Sequence, residues 1–182
     1  MTQIDEIKAI KTNAEMLYSE EQVETALDKI AEKINSLFYD RNPILLCVMN
    51  GGIVTAGKLL TRLTFPLTID SINVTRYQDN IGGETINWIQ KPAIPLQKRT
   101  VLIVDDILDA GLTLEAIYKY CQEQGAASIY SAVLIEKQLD QPKPIQADFI
   151  GLSTPSRYLF GYGMDYKGYL RNTPGIYACK ED

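Results

Sequence analysis

Two adjacent carboxylates, Asp105 and Asp106, follow the apolar run Val101-Leu102-Ile103-Val104, and a third acid, Asp109, stands three residues on. A short, continuous apolar run fits a strand buried on both faces, as in a parallel sheet. Such a strand delivers its acids to the edge at which open α/β sheets hold ligands. Ala110, Gly111 and Leu112 then lead to Thr113, where a helix begins. Free amides at a helix start, with the helix dipole behind them, can hold a phosphate. One loop thus offers carboxylates for a diol or a metal and amides for a phosphate, and a phosphorylated sugar needs both. Taken alone, an Asp pair at a strand end is as often a capping or solvated pair, and Asp109 a turn-former.

The chain has 182 residues, a formal net charge of -5 and no histidine. The length suits one domain, residues 1–182, with a sizeable core. Without histidine, Ser-His-Asp and Cys-His catalysis are excluded, with most transition-metal enzymes. Any acid or base must be Asp, Glu, Lys or Tyr. The negative charge argues against a broad basic surface for nucleic acid. A polyanionic small molecule must therefore be gripped locally, by backbone amides, a few Lys or Arg, and a metal ion. Cys47, Cys121 and Cys179 are widely spaced and make no metal pair, so they read as reduced residues of a cytosolic protein. No segment approaches the roughly 20 apolar residues of a membrane span, which leads to the expectation of a soluble, cytoplasmic protein with no membrane partner.

The elements that must position these residues follow from periodicity. Residues 1–18 form an arm or a short helix. Ser19 with Gln22 makes a capping box, and Val23, Leu27, Ile30, Ile34 and Leu37 recur at helical spacing over 20–38. Ile44 to Met49 forms a second buried strand, Asn50-Gly51-Gly52 turns the chain, and 53–63 reads as a helix. A strand covers 67–77, with alternating character through Ile69, Ile72 and Val74. Residues 78–99 read as a long excursion, a hairpin with a mobile tip, and such segments are often functional lids. A helix near 113–124 ends at Gly125, strands near 129–135 and 147–151 follow, and a tail rich in Gly and Tyr closes the chain. This alternation predicts an α/β fold: a mainly parallel, doubly wound sheet flanked by helices, with a small hood or lid subdomain from the chain ends.

The stretch 101–114, V-L-I-V-D-D-I-L-D-A-G-L-T-L, closely resembles the phosphoribosyl pyrophosphate motif of type I phosphoribosyltransferases. Residues 15–180 resemble the bacterial members of the hypoxanthine-guanine branch. The resemblance implies purine salvage: transfer of the 5-phosphoribosyl group from phosphoribosyl pyrophosphate to a 6-oxopurine base, with Mg2+, by a homodimer or homotetramer. It implies that Asp105 and Asp106 lie against the ribose hydroxyls and near the metal, and that Asp109 handles the proton at N7 of the purine. The backbone of Asp109, Ala110, Gly111, Leu112 and Thr113, with the Thr113 hydroxyl, would hold the 5′-phosphate. Where the family often has Thr at 110, this chain has Ala, so one side-chain bond to phosphate is missing.

The same resemblance makes Lys137, which ends the run A-V-L-I-E-K, the donor to the 6-oxo group; a lone Lys in that place is otherwise a solvated charge. An ammonium only donates, so an amino group at that position would meet it badly. Tyr158 would stack on the base, a platform worth about 1–3 kcal/mol, and the carbonyl of Leu159 would contact its 2-position. Asp165 would sit near magnesium and base, and Arg171 near pyrophosphate. Met49-Asn50-Gly51-Gly52 occupies the pyrophosphate loop, where Asn50 replaces the Lys of many relatives and a cis peptide between Met49 and Asn50 is expected. Thr75-Arg76-Tyr77 falls at the root of a loop, 76–90, that would close over the reacting centre, with Arg76 in place of the usual Ser. Two readings on the same fold compete: a xanthine-preferring enzyme, and a non-catalytic regulator that binds phosphoribosyl pyrophosphate or a nucleotide. A phosphorylation-switch receiver also contains a strand followed by Asp-Asp, but there the pair stands near the start of the domain.

Overall fold

The computed structural model describes residues 2–78 and 84–180. Its frame is a six-stranded sheet of order β4-β3-β2-β5-β6-β7. Five strands run parallel: β2 (Ile44–Met49), β3 (Thr68–Gln78), β5 (Thr100–Leu108), β6 (Ser128–Gln138) and β7 (Phe149–Pro155). The edge strand β4 (Glu84–Gln90) returns antiparallel on β3. Side chains alternate across a strand, so β2 and β5 feed two cores at once. Leu45, Cys47, Leu102 and Val104 face α2 (Glu20–Phe38) and α3 (Ile53–Leu60). Ile44, Leu46, Val101 and Ile103 face α4 (Leu112–Glu123).

Helix α2 starts at the expected capping box, in which Ser19 and Gln22 exchange side-chain and backbone bonds. Its buried stripe runs from Val23 to Phe38. Helix α3 stops at Leu60, three residues short of the sequence reading. The Arg62 amide bonds back to the Leu59 carbonyl, and the Thr64 amide goes instead to the Asn35 side chain. Strands β5, β6 and β7 all run beyond the expected ends, because parallel pairing carries them on, through Leu108 opposite Glu136 and Gln138 opposite Pro155. Ile69 is half exposed while Ile72 is fully buried; positions three apart lie on opposite faces of a strand.

The arm at the N-terminus is a helix, α1 (Gln3–Asn13), followed by β1 (Glu15–Tyr18). Strand β1 pairs antiparallel with β9 (Ile176–Ala178), which pairs with β8 (Leu159–Phe160), so both ends of the chain build one three-stranded hood. Tyr18 Oη donates to the Ser153 carbonyl at 2.6 Å, and Tyr162 Oη donates to Glu24, which also pairs with Lys58 and Arg62. Burial pushes the Glu24 carboxyl up, but hydrogen bonds from Lys58, Tyr162 and Arg62 outweigh it and hold it down at about 2. Opposite the hood, Trp88 of β4 packs on Tyr120 of α4 with ring centroids 5.0 Å apart, and Lys91 lies over both rings. The tip of the excursion, 79–83, and the Arg76 and Tyr77 side chains lie outside the described residues. All three cysteines are free thiols; burial pushes Cys47 up to about 11 and Cys121 up to about 12.

Candidate active site

Strand β5 brings Asp105, Asp106 and Asp109 to the C-terminal edge of the sheet, where the order of connection reverses between β2 and β5. Asp105 stands opposite Val133 in the ladder and accepts the Asp106 amide at 2.9 Å. Asp106 is 7% exposed. Burial pushes both carboxyls above the ordinary range; the charge of Asp106 raises Asp105 further, and Arg171 opposes the rise on each. The two acids therefore share an environment in which a second negative charge is costly.

The loop after β5 reaches Gly111 at φ 86°, a left-handed conformation that favours glycine. Gly111 is the N-cap of α4 and provides no side-chain cap. The first amides of the helix thus have no side-chain acceptor and point toward a cavity of about 370 Å³. That cavity is bounded by the Asp105–Thr113 turn, by Asn50 and Gly51, and by Asp165 and Arg171. The Met49–Asn50 peptide is cis. A Cβ added to Gly51 would stand 2.1 Å from Asp106 Oδ2, so only glycine lets this loop reach the acids. Arg171 Nη2 pairs with Asp165 Oδ1 at 2.7 Å, its Nη1 donates to the Gly163 carbonyl, and Asp165 Oδ2 accepts the Gly168 amide.

A second cavity, of about 310 Å³, adjoins the first; Asp106, Ile107, Asp109 and Asp165 line both. Its other walls include Lys137, Tyr158 and Leu159. Lys137 Nζ donates to Asp109 Oδ2 at 2.8 Å, joining the ends of β6 and β5. Tyr158 is 53% exposed, and its ring makes a T-shaped contact with Tyr166, 5.6 Å between centroids. The structure thus gathers Asn50, Gly51, Asp105, Asp106, Asp109 to Thr113, Asp165 and Arg171 around one cavity, and Lys137, Tyr158 and Leu159 around its neighbour.

Two features of the site go beyond the sequence reading, which placed Thr75 only at the root of a loop and gave Gly163 no role. Thr75 on β3 also lines the larger cavity, and its hydroxyl is buried with no partner among the described residues. Gly163 holds φ 104°, with the Gly51 carbonyl 2.0 Å from where its Cβ would be; the sequence reading saw it only as part of a tail rich in Gly and Tyr. Among the described residues, no group of three or more Asp, Glu, Cys or His side chains is gathered closely enough to hold a metal ion. Asp105, Asp106 and Asp165 nevertheless turn hard oxygen donors to one space.

The raised carboxyls carry an expected result. Between the unfolded value, about 3.9, and the raised folded value, the folded chain holds a proton that the unfolded chain has released. Stability therefore falls as pH rises through that window. Asp105→Asn removes this cost. In metal-free buffer at pH 7 it should melt above the parent by about 2–4 °C for each ~1 kcal/mol relieved, with the gap closing toward pH 4, and it should be poorly active. An unchanged or lower melting temperature across that range would contradict the burial argument.

A family model described as phosphoribosyl transferase domain matches residues 13–167. The chain is 30% identical over 169 residues to the hypoxanthine-guanine-xanthine phosphoribosyltransferase of Tritrichomonas foetus, covering 91% of each chain. It is 30% identical over 168 residues to the hypoxanthine-guanine phosphoribosyltransferase of Streptococcus pneumoniae, covering 92% of this chain and 93% of the other. The solved hypoxanthine phosphoribosyltransferase of Staphylococcus aureus superposes with a TM-score of 0.88 at 24% identity, over 94% of this chain and 95% of that one, a likeness of fold. With 155 consecutive positions under the family model, and the acids, helix start and glycines of its motif around one cavity, the chain belongs to the phosphoribosyltransferase family.

Proposed function

We infer that this chain is a purine-salvage enzyme that transfers the 5-phosphoribosyl group from phosphoribosyl pyrophosphate to hypoxanthine or guanine, giving nucleotide and pyrophosphate. The observation that carries this reading is the Lys137–Asp109 pair at the seam of the two cavities. The 6-oxo oxygen and N7–H of a 6-oxopurine form an acceptor and a donor side by side. A donor ammonium beside an acceptor carboxylate complements that edge, whereas the 6-amino group of adenine would face a second donor. The larger cavity supports the sugar phosphate. Asp105 and Asp106 hold the ribose hydroxyls, the amides of 109–113 and the Thr113 hydroxyl hold the 5′-phosphate, and Asn50, Gly51 and Arg171 hold the pyrophosphate. Tyr158 stacks on the base, and the carbonyl of Leu159 meets its 2-position.

In the reaction N9 bonds to C1 of the ribose as the bond from C1 to pyrophosphate oxygen breaks. Positive charge develops on the sugar and negative charge on the leaving group. Asp109 takes the N7 proton, leaving the N9 lone pair free to attack. Arg171 neutralises the departing pyrophosphate. Arg76 and Tyr77 root a loop over the centre that excludes water. The donor set fits magnesium, which keeps several waters and takes one or two carboxylates alongside substrate phosphates; Asp165, with Asp105 and Asp106, would hold it, and bound there it supplies charge against the pyrophosphate oxygens. The free thiols support a reducing, cytoplasmic setting, and the resemblance supports one domain over 1–182 and assembly as a homodimer or homotetramer.

A panel of bases tests the reading. With phosphoribosyl pyrophosphate and magnesium, hypoxanthine and guanine should yield nucleotide and adenine none. The relative rate on xanthine separates the reading from a xanthine-preferring enzyme, which one relative's name brings into view. Product from adenine and none from 6-oxopurines would overturn the Lys137 assignment.

A further inference from the structure

Lys143 lies outside the acidic motif and outside both cavities of the site, on the connection between β6 and β7. Its side chain is only 10% exposed, and a buried ammonium must be paired and hydrogen-bonded. The three acceptors within its reach are the carbonyl of Lys137 at 2.6 Å, the carbonyl of Leu108 at 3.2 Å and Glu136 Oε1 at 3.3 Å. An ammonium has three N–H donors, so all are used. Two of those acceptors are backbone carbonyls of the strands that carry the Asp109–Lys137 pair. The Leu108 carbonyl shares a peptide plane with the Asp109 amide, and the Lys137 carbonyl belongs to the lysine itself.

The position of these contacts matters. Leu108 opposite Glu136 is the last pairing of β5 with β6. Beyond it β5 leaves for the phosphate loop while β6 runs on to Gln138, so no ladder bond fixes the separation of Asp109 from Lys137. The Lys143 ammonium ties the strands at that point. The same segment backs the loop: the Cβ of Lys143, Pro144 Cδ and Ile145 Cγ2 all lie 3.4–3.5 Å from where a Cβ of Gly111 would be. Pro142 and Pro144 flank the lysine. Proline fixes its own φ and keeps the residue before it extended, so the clamp is held stiffly from both sides.

We propose that Lys143 is a positioning residue for base recognition, setting the spacing of the Asp109 carboxylate and the Lys137 ammonium that meet the N7–H and 6-oxo edge of the purine. The inference rests on the purine-binding reading of Asp109 and Lys137. Lys143 touches no substrate; it acts through two peptide groups. A displacement of about 1 Å in a catalytic group can cost on the order of a hundredfold in rate, and loss of the tie allows a shift of that size.

The test is a double-mutant cycle with Lys143→Met, which keeps the stem and removes the donors, and Lys137→Ala. Lys143→Met alone should lower kcat/KM for hypoxanthine by about tenfold to a hundredfold, with KM for phosphoribosyl pyrophosphate unchanged. In the Lys137→Ala background it should lower it no further. Additive losses, or equal rises in both KM values, would mean a role in folding only and overturn the proposal. Should Lys143→Met fail to give soluble protein, Lys143→Arg carries the same cycle: it retains charge but presents a planar fork, and the same pattern with a smaller loss is expected. If Lys137→Ala by itself leaves kcat/KM for the base intact, the purine assignment fails and this inference with it; if Lys137→Ala is impaired and Lys143 variants match the parent, only the positioning role fails.

Discussion

Asp109→Ala is expected to lower turnover by about two to four orders of magnitude, the range general acid–base residues supply, while affinity for phosphoribosyl pyrophosphate changes little. The separation follows from what each part of Asp109 does. Its backbone belongs to the turn before Gly111 that is proposed to hold the phosphate, and Ala keeps that backbone. Among the described residues its carboxylate bonds only to Lys137, at 2.8 Å, and it lines the cavity walled by Lys137 and Tyr158. On the proposed reading, removing it takes away the N7 proton acceptor and the partner of the lysine, and leaves the amides proposed to hold phosphate in place. Asp109→Asn should fall between the two, since it restores an acceptor for Lys137 but not a base. Single-turnover kinetics with calorimetric titration of phosphoribosyl pyrophosphate would separate the effects, and matched losses of binding and turnover would refute the assigned role.

Gly163→Ala is expected to be among the most destabilising glycine-to-alanine changes in the described molecule. The added carbon would stand 2.0 Å from the Gly51 carbonyl oxygen, in backbone contact that no rotamer change relieves, at φ 104°. Positive φ for a non-glycine residue and overpacking each cost about 1–3 kcal/mol, against a domain stability of about 5–15 kcal/mol. The hood must move off the Asn50–Gly51 loop, and Arg171 moves with it, because Gly163 donates to the Arg171 carbonyl and accepts from its guanidinium. Denaturant unfolding should show a large drop in midpoint, with activity lost beyond what the unfolded fraction explains. Gly57→Ala is the control: it sits in α3, its Cβ would meet nothing within 4 Å, and helical Ala is favoured over Gly by about 0.5–1 kcal/mol. A Gly163→Ala protein as stable as the parent would show that the hood docks more loosely than the geometry implies.

What could be read from the sequence is what local pattern encodes. The apolar runs at 44–49 and 101–104 announced buried parallel strands because both of their faces meet hydrophobic layers, and the Ser19–Gln22 box and the stripe from Val23 fixed α2 without tertiary help. The acids of 105–109 and the helix start near Gly111 were legible because strand, turn and helix are contiguous. Lys137, Tyr158 and Asp165 were not legible from pattern; they entered through resemblance, since residues 28 to 56 positions from Asp109 reach its cavities only through sheet order. The β1–β9 pairing, Glu15 opposite Ala178, spans nearly the whole chain and leaves no periodic signature in four- and three-residue strands. Lys143 lay hidden for the opposite reason: a lysine between two prolines looks like a solvated loop, and only burial shows three acceptors around it.

The chain has a single tryptophan, and it is the Trp88 that leans from the edge hairpin onto Tyr120 with Lys91 across both rings. The protein therefore carries its own optical gauge. Indole emission depends on how a neighbouring ammonium and phenol lie against the ring, so a tilt of the hairpin away from α4 would change colour and intensity at one site, with no second indole to compete and no label to attach.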